Sequence, residues 1–278
     1  MEGKDLTSLE ADKMQRYLVA KDNQFIKRSF YEYTVMEQRL IACAISTIDS
    51  RKKIDIDDDT TVRCEFDIDV FCELCGIERR SAITYLRGLV EGLIKKGGYY
   101  QTEKRLDYIH WVADSSFDLE NNLIILWLSR TVKPYLLNLD ADFTEYKLPM
   151  ILRFKNKYSN LIFDLIYAEY GKSCYIYGTE RRYSSGTLFI SVDDMKMRVR
   201  TKREKNKTVN QNISFKDLRI HILEPSIEDI NEYTDIMVDI EYLTKGRKTE
   251  TILFHYRPKT KSELSKVPLF RGKRIESL

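Results

Sequence analysis

The sequence predicts an α+β protein made of two tandem winged-helix domains that are related by internal duplication. Two observations favour this fold class. One order of elements (helix, strand, helix, turn, helix, hairpin) is predicted twice along the 278 residues. The length is also ample for two domains, and a content of 43% apolar and 32% charged residues indicates a folded chain rather than a disordered one.

The first copy of this order begins at Thr34-Val35-Met36-Glu37, which has the pattern of a helix capping box. Alternating apolar residues over 62–66 then predict a strand. A short helix is expected over residues 68–75, ended by Gly76, and it is followed by a longer helix that stops at Gly97-Gly98. Two strands on either side of an expected turn at Asp114-Ser115-Ser116 complete this copy as a hairpin.

The second copy follows with different loop lengths. A helix is predicted from about Leu152 to Tyr170, and an apolar strand runs over 188–192. Ser191-Val192-Asp193-Asp194 then resembles the start of another helix. Ser214-Phe215-Lys216-Asp217 has the pattern of a further helix start, and Pro225 should kink or interrupt that helix because it has no N–H to donate. Two alternating strands then surround a hairpin tip at Thr244-Lys245-Gly246-Arg247.

These patterns predict three segments along the chain. The N-terminal winged-helix domain is expected over residues 1–145 and the C-terminal one over 146–260, with the connection near 140–149. Residues 261–278 are expected to form a loose basic tail. Each half then has the helices and the hairpin that one winged helix requires.

Charge is distributed unequally between the two halves. Up to Tyr146 the chain has 20 Lys and Arg against 26 Asp and Glu, whereas from Lys147 onward it has 26 against 17. A polyanion is therefore attracted mainly to the second half. A solvated surface without any ligand would explain the charge alone equally well.

The placement of basic residues within the two copies favours DNA over a merely solvated surface. In a helix-turn-helix the start of the second helix reads base edges, while loops and wings contact phosphates. Basic residues occupy all three kinds of position. The candidate DNA-binding residues are Arg79, Arg80 and Arg87 in the first half, and Arg198, Arg200, Lys202, Arg203, Lys205, Lys207, Lys216, Arg219, Lys245, Arg247 and Lys248 in the second.

Signals for catalysis, metals and cofactors are poor, so we expect a protein that is not an enzyme and needs no cofactor. Cys72 and Cys75 form a C-x-x-C, but zinc needs four ligands, so core packing is the favoured interpretation. Gly171-Lys172-Ser173 resembles the end of a phosphate-binding loop, but Ile166 stands where that loop needs glycine. The three histidines are scattered, which leaves no pair to hold a metal for strand nicking.

No apolar run approaches the roughly 20 residues that cross a bilayer, and the first residues lack an apolar signal core. We therefore expect a cytoplasmic protein without a membrane partner, with its cysteines reduced.

Three segments together resemble the plasmid replication initiators (Rep proteins) of the iteron-binding type. They are TVMEQRLIACAIS at residues 34–46, NKYS at 156–159 with the apolar residues that follow, and SFKDLRIHILEPSIEDIN at 214–231. The last is followed by a strand, Gly246-Arg247-Lys248 and a closing strand. The matching segments lie in the order that this family has, and they cover most of residues 17–256.

The resemblance implies a bacterial plasmid protein that binds origin iterons as a monomer and recruits the host replication initiator and the replicative helicase. It also implies a homodimer, in equilibrium with the monomer, that binds an operator inverted repeat and represses its own gene, which contributes to copy-number control. The second domain is then the main DNA reader, and the first supplies dimerisation and a secondary DNA contact. A winged-helix transcription regulator is the alternative. A rolling-circle nickase is less favoured because the histidine pair is missing.

Overall fold

A computed structural model of the chain describes residues 17–30, 32–53, 60–172, 175–177, 180–182, 184–199 and 213–268. It divides into two compact units, Met1–Leu152 and Arg153–Leu278. We expected the division after residue 145. It falls later because residues 143–147 form a strand that pairs with residues 18–22, which ties this part of the expected connection into the first unit.

The first unit contains a winged-helix core with added strands. Its described helices are α1 (Asn23–Arg28), α2 (Val35–Ser46), α3 (Ile68–Cys75), α4 (Arg79–Lys95) and α5 (Leu148–Ile151). Its described strands are β1 (Leu18–Asp22), β2 (Ser29–Phe30), β3 (Val62–Asp67), β4 (Gly98–Gln101), β5 (Leu106–Ile109), β6 (Val112–Asp118), β7 (Leu123–Leu128) and β8 (Phe143–Lys147). The winged-helix order is α2, β3, α3, α4, β6 and β7, with the β4–β5 hairpin inserted before the wing.

Local capping signals set the bounds of these helices. The predicted capping box at the start of α2 is confirmed: the Glu37 N–H donates to Thr34 Oγ1 at 3.3 Å, and the Thr34 N–H donates to Glu37 Oε2 at 2.7 Å. The buried Glu37 carboxylate also accepts from Lys96 Nζ at 2.7 Å, which links α2 to the end of α4. Gly76 ends α3 with a φ of 69°, as its position predicted.

The second unit repeats the winged-helix order. Its described elements are α6 (Ser159–Lys172), β9 (Tyr175–Tyr177), β10 (Glu180–Arg182), β11 (Gly186–Ser191), α7 (Val192–Arg198), α8 (Phe215–Leu218), a π turn (Arg219–Leu223), α9 (Glu224–Tyr233), β12 (Ile236–Lys245), β13 (Lys248–Pro258) and α10 (Lys261–Leu264). The segments α8, π turn and α9 follow one another without a break, and we call residues 215–233 the composite helix.

Sheet topology confirms the predicted fold class. The strand order is β3-β7-β6 in the first unit and β11-β13-β12 in the second, and both sheets are antiparallel. In each sheet the last strand of the unit's wing hairpin lies in the centre. The two copies differ by insertions: β4–β5 precede the wing in the first unit, whereas β9–β10 follow the first helix in the second.

Aromatic side chains form the centre of each core. Phe25 stacks on Tyr135 at a centroid distance of 4.6 Å and meets the edge of the buried Trp111 at 5.4 Å. In the second unit Phe163 packs between Phe154 and Tyr167, at 5.6 and 4.8 Å. Rings at these distances combine a large buried apolar area with favourable edge contacts, so each unit has its own core.

Two expected boundaries were wrong. Asp114-Ser115-Ser116 lie inside β6, and the turn of that hairpin falls at residues 119–122. These polar residues are compatible with a strand because β6 is an edge strand of its sheet. The helix expected from Leu152 begins only at Ser159. The N–H groups of residues 155 and 156 donate instead to a carboxylate in α9, a tertiary contact without a local sequence signal.

The expected loose tail is structured as far as residue 268. Thr260 and Glu263 form a capping box at the start of α10. Glu263 also pairs with Arg257 at 2.6 Å, and Arg153 donates to the carbonyl of Pro268 at 2.6 Å. These contacts hold the segment after the last strand against the second unit. Residues 269–278 lie outside the described part of the chain.

A buried lysine holds the C-terminal end of the composite helix. Lys259 Nζ donates to the carbonyl oxygens of Asn231 and Thr234, at 2.5 and 2.7 Å. Carbonyl groups at a helix end lack helical donors, so a cation there is favourable. Burial lowers the pKa of Lys259 to about 8, although the charge of Asp235 acts in the opposite direction.

Among the helices of the described ranges, none has both the length and the apolar character that a membrane crossing needs.

Candidate nucleic-acid interface

The composite helix begins where the sequence predicted. Ser214 Oγ accepts from the Asp217 N–H at 3.0 Å and donates to the Asp217 carboxylate at 2.7 Å. Leu218 is buried, which fixes one face of this turn in the core. The Lys216 side chain is exposed on the first turn. In a winged helix, this end of the helix is the one that enters the major groove.

The predicted interruption near Pro225 is confirmed as a π turn. The N–H of Glu224 donates to the carbonyl of Arg219, five residues earlier, instead of four. Arg219 lies within this turn, with its side chain 43% exposed and its Nε 3.3 Å from Glu224 Oε1. Arg219 is therefore partly neutralised by its own helix, whereas Lys216 is not in an ion pair with any residue that the structure describes.

The β12–β13 hairpin carries a basic tip, which we call the basic wing (residues 245–248). Lys245, Arg247 and Lys248 are all exposed, and Gly246 takes the left-handed conformation, with a φ of 63°, that this turn requires. Lys245 and Lys248 lie directly opposite each other. Like charges at such a pair destabilise a hairpin, so an anionic ligand would relieve this repulsion.

The first unit presents fewer available cations. Arg79, at the start of α4, pairs with Asp69 of α3, and it also donates to Asn122 Oδ1 at 2.7 Å. This arginine therefore joins α4 to α3 and to the wing turn. Arg80 and Arg87 are exposed on the same helix, and neither forms an ion pair with a described residue.

The exposed face of α4 also carries residues that our sequence prediction missed. Thr84 and Tyr85 lie between Arg80 and Arg87 and are exposed. Helical spacing was the available signal, because residues 80, 84 and 87 fall on one face of a helix. This face therefore combines two cations with a hydroxyl group, whereas Tyr85, one position after Thr84, is exposed on a different side of the helix.

The wing of the first unit has the opposite charge. Its tip contains Asp118 and Glu120, together with Leu119, which is 63% exposed. Hydrogen bonds from the side chain and backbone N–H of Asn121 lower the pKa of Asp118, which keeps this carboxylate ionised. An anionic tip is repelled by phosphates, in contrast to the basic wing of the second unit.

The structure corrects the expected role of Arg198. We expected it in a basic loop, but it is the last residue of α7, and its side chain is only 9% exposed. Its Nε is 3.0 Å from Asp194 Oδ2, one helical turn earlier. The ion pair and the low exposure do not favour a phosphate contact. The other expected loop cations lie outside the described residues: Arg200, Lys202, Arg203, Lys205 and Lys207.

The cysteines of the described ranges are buried or half-buried packing residues. Burial raises the pKa of Cys43, takes that of Cys64 and Cys75 to about 12, and takes that of Cys72 to about 11. These thiols are therefore protonated and poorly nucleophilic near neutral pH. Within the described part of the chain, no group of three His, Cys, Asp or Glu residues could hold a metal ion.

The structure also explains why Gly171-Lys172-Ser173 is not a phosphate-binding loop. Lys172 is the last residue of α6, and its Nζ is 3.1 Å from Glu169 of the same helix. A phosphate-binding lysine of that motif lies at the start of a helix, where backbone N–H groups are free. At the end of a helix, free carbonyl groups would repel the phosphate.

Comparison with known proteins agrees with these features. Residues 18–167 match the family model of the initiator replication protein, WH1. The chain belongs to the initiator replication protein family. Residues 191–256 match the second model of that family, the initiator Rep protein, WH2. The resemblance found in the sequence is thereby confirmed.

Two relatives illustrate the extent of the similarity. A replication initiation protein of Escherichia coli is 24% identical over 243 residues, which are 87% of this chain and 70% of the relative. The crystal structure of the Pi initiator protein in complex with iteron DNA superposes with a TM-score of 0.67 at 17% identity. That match covers 88% of this chain and 98% of the Pi chain, so the two-winged-helix fold is shared along nearly the whole relative.

Proposed function

We propose that this initiator replication protein acts at a plasmid origin by binding double-stranded iteron DNA, without catalysing a reaction. The observation that carries the proposal is the pair of basic sites in the second unit. Exposed or half-exposed cations occur at the start of the composite helix and again on the basic wing, which are the two places where a winged helix touches DNA. The Pi relative, which was crystallised with iteron DNA, supports the same assignment.

The second unit is the main reader in this proposal. Lys216 contacts a base edge, with Arg219 beside it after release from Glu224. The basic wing contacts phosphates, and the loop cations between α7 and α8, which fall outside the described residues, do the same. The first unit makes a secondary contact through Arg80 and Arg87, because its acidic wing is repelled by the DNA backbone.

The test separates base reading from phosphate binding. Lys216→Ala should lower affinity for an iteron duplex far more than for a shuffled duplex, since a good base contact discriminates by about 1–3 kcal/mol. Lys245→Ala should weaken binding to both duplexes alike and reduce the log–log salt slope by about 0.9. The measurement is a set of salt titrations by fluorescence anisotropy. Loss of discrimination in the wing variant alone would show that the wrong element was assigned to base reading.

The first unit offers a matched pair of arginine variants. Arg80→Ala should weaken binding to every duplex and leave the melting temperature unchanged, because Arg80 is exposed and has no described ion pair. Arg79→Ala should lower the melting temperature, because Arg79 joins α4 to Asp69 and Asn122. An Arg80 variant with wild-type DNA affinity would remove the first unit from the proposed interface.

We further propose that the first unit forms the homodimer. Its net charge is negative, and β5 is an edge strand of the β2-β4-β5 sheet. Leu106 and Tyr108 of this strand are 62% and 46% exposed. An edge strand with exposed apolar side chains is a template for pairing with another chain, which suits a second copy of the same strand.

Two leucine variants test this surface. Leu106→Asp should shift the dimer to monomer in sedimentation velocity, whereas Leu119→Asp, which changes an equally exposed leucine on the wing tip, should leave the dimer intact. If the dimer binds the operator inverted repeat and represses the gene, Leu106→Asp should also release a reporter from repression. A monomer that still represses fully would contradict the dimer assignment.

Recruitment of the host replication initiator and the replicative helicase completes the proposed function. It distinguishes a replication initiator from a winged-helix transcription regulator, which reads DNA in the same way. The experiment is replication of a plasmid that carries the cognate origin in bacterial cells supplying this chain. Specific binding together with repression, but without replication, would favour the regulator.

A further inference from the structure

The π turn of the composite helix leaves a carbonyl group without its usual helical donor. In an α-helix the N–H of residue 225 would donate to the carbonyl of His221, but residue 225 is proline and has no N–H. His221 is exposed, so its carbonyl accepts either from water or from another donor of the chain. The structure supplies it from outside the helix, because Asn156 Nδ2 donates to the His221 carbonyl at 3.1 Å.

Asn156 belongs to a segment that is held firmly against the composite helix. The buried Asp229 carboxylate accepts from the N–H groups of Lys155 and Asn156 at 2.8 and 2.9 Å, and from Ser159 Oγ at 2.6 Å. All three donors use the same oxygen of Asp229, in α9. The segment before α6 is therefore hydrogen-bonded to the composite helix at two places, one in α9 and one at the π turn.

The π turn determines the direction of Lys216, which precedes it, and of Arg219, which is its first residue. It contains one more residue than the corresponding α-helical turn, and one residue of an α-helix corresponds to a rotation of about 100° and a rise of about 1.5 Å. If the turn relaxed to α-helical geometry, Lys216 and Arg219 would rotate away from their present direction by about that angle. Contact with a base edge tolerates no such rotation.

We propose that Asn156 is a positioning residue that holds this π turn and thereby sets the DNA sequence discrimination of Lys216 and Arg219. The inference rests on the proposed function, since it assigns base reading to the start of the composite helix. Asn156 itself does not touch DNA in this account. It acts through the His221 carbonyl, and its effect is on discrimination rather than on general affinity.

Asn156→Asp isolates the relevant hydrogen bond. Asn156 Oδ1 accepts from the Tyr158 N–H at 2.9 Å, and an aspartate keeps this acceptor while losing the Nδ2 donor to His221. Pro225→Ala supplies an N–H to the His221 carbonyl and leaves the Glu224 N–H on the Arg219 carbonyl, which defines the π turn, so it should make the Asn156 donor dispensable. A double variant that recovers discrimination would identify the shared carbonyl as the point of action if Pro225→Ala alone leaves discrimination unchanged, and melting temperatures separate this from the general stabilisation that loss of a helix proline gives.

The experiment compares the full-length wild-type chain with Asn156→Asp, Pro225→Ala and the double variant. The probes are a duplex that the wild type selects from a random library and a shuffled duplex of the same composition. We expect the ratio of the two dissociation constants to fall about tenfold in Asn156→Asp, the size of one lost base contact, and to recover in the double variant. Tyr167→Phe, which removes a buried hydrogen bond to Asp235, is the stability control and should keep the ratio.

The outcomes distinguish a failure of the proposed function from a failure of the role assigned to Asn156. A wild-type chain that selects no sequence would refute the proposed function together with this inference. A discriminating wild type with an unchanged ratio in Asn156→Asp would refute the inference alone. The inference would also be refuted if the ratio fell equally in Tyr167→Phe, or if the double variant had the same ratio as Asn156→Asp. In either case the effect would follow stability rather than the π turn.

Discussion

Reversing one charge on the basic wing should stabilise the protein and lower its affinity for DNA. Lys248 faces Lys245 across the hairpin, and both side chains are exposed. Lys248→Glu replaces this like-charge pair by an opposite-charge pair. Directly opposed charges in a sheet contribute about 0.2–1 kcal/mol. Exposure to solvent favours the lower end of that range, so a small rise in the free energy of unfolding is expected.

The same change should weaken DNA binding without regard to sequence. Loss of one phosphate contact reduces the log–log salt slope by about 0.9, so the deficit relative to wild type should shrink by about 3.5-fold between 50 and 200 mM salt. The glutamate adds repulsion from the backbone, so Lys248→Glu should be weaker than Lys248→Gln at low salt and should approach it at high salt.

Thermal denaturation and anisotropy titrations with the selected and shuffled duplexes measure both effects. Lys261→Glu is the matched control, because Lys261 is an exposed lysine of α10, away from the hairpin tip. It should change DNA affinity little. The reasoning is refuted if Lys248→Glu binds DNA as tightly as the wild type, or if it weakens only the selected duplex. A lower melting temperature would show that the lysine pair is not a source of strain.

Three further predictions concern packing, pH and chemistry. Gly92→Ala places a methyl group 2.8 Å from Glu37 Oε1, and the Thr34 N–H and Lys96 Nζ hold this carboxylate in place, so the substitution should cost about 1–3 kcal/mol of unfolding free energy. Gly88→Ala on the same helix meets nothing within 4 Å and should stabilise slightly. Equal melting temperatures of the two variants would contradict this prediction. Burial lowers the pKa of Lys259 from 10.5 to about 8, so the unfolded chain binds more protons between these values. The free energy of unfolding of the wild type, relative to that of Lys259→Met, should therefore rise by on the order of 1–2 kcal/mol between pH 7 and 10. A difference between the two chains that does not change with pH would refute this prediction. Finally, supercoiled origin DNA should stay intact with the purified chain and Mg²⁺ or Mn²⁺, and nicking that persists through purification would overturn the non-catalytic assignment.

The features that the sequence predicted correctly are those with local causes. The capping box at Thr34, the helix starts at Ser191 and Ser214, and the stop at Gly76 each depend on residues within four positions of one another. Strand alternation is equally local, because one face of each strand is buried. Repetition of these signals in the same order was sufficient to predict two winged helices.

The features that were missed depend on contacts between distant residues. The structural contacts of Arg79 could not be predicted from the sequence, because its partner Asn122 is 43 positions away. The late start of α6 depends on Asp229, more than 70 positions from the N–H groups that it accepts. Arg198 is a partial exception. Its four-residue spacing from Asp194 indicated an ion pair, but nothing in the sequence indicated the low exposure of its side chain.

The two wings show how two copies of one fold can carry opposite charges at the same position. Both units place a hairpin after the second helix of the helix-turn-helix, and this position is exposed in each. In the second unit the tip carries Lys245 and Lys248, whereas in the first it carries Asp118 and Glu120. Since phosphate attraction requires cations, only the second wing is suited to DNA, although the topology of the two sheets is the same.

This difference in charge bears on the proposed division between a DNA-binding monomer and a homodimer. If the second unit supplies most of the DNA affinity, the first unit is free to expose the apolar edge strand β5 without competing for phosphates. Mutations on β5 should then change self-association and repression while leaving iteron affinity nearly constant, and mutations on the basic wing should do the reverse. A β5 variant that loses both activities would show that dimerisation and iteron binding share a surface, and the division of labour between the two units would have to be abandoned.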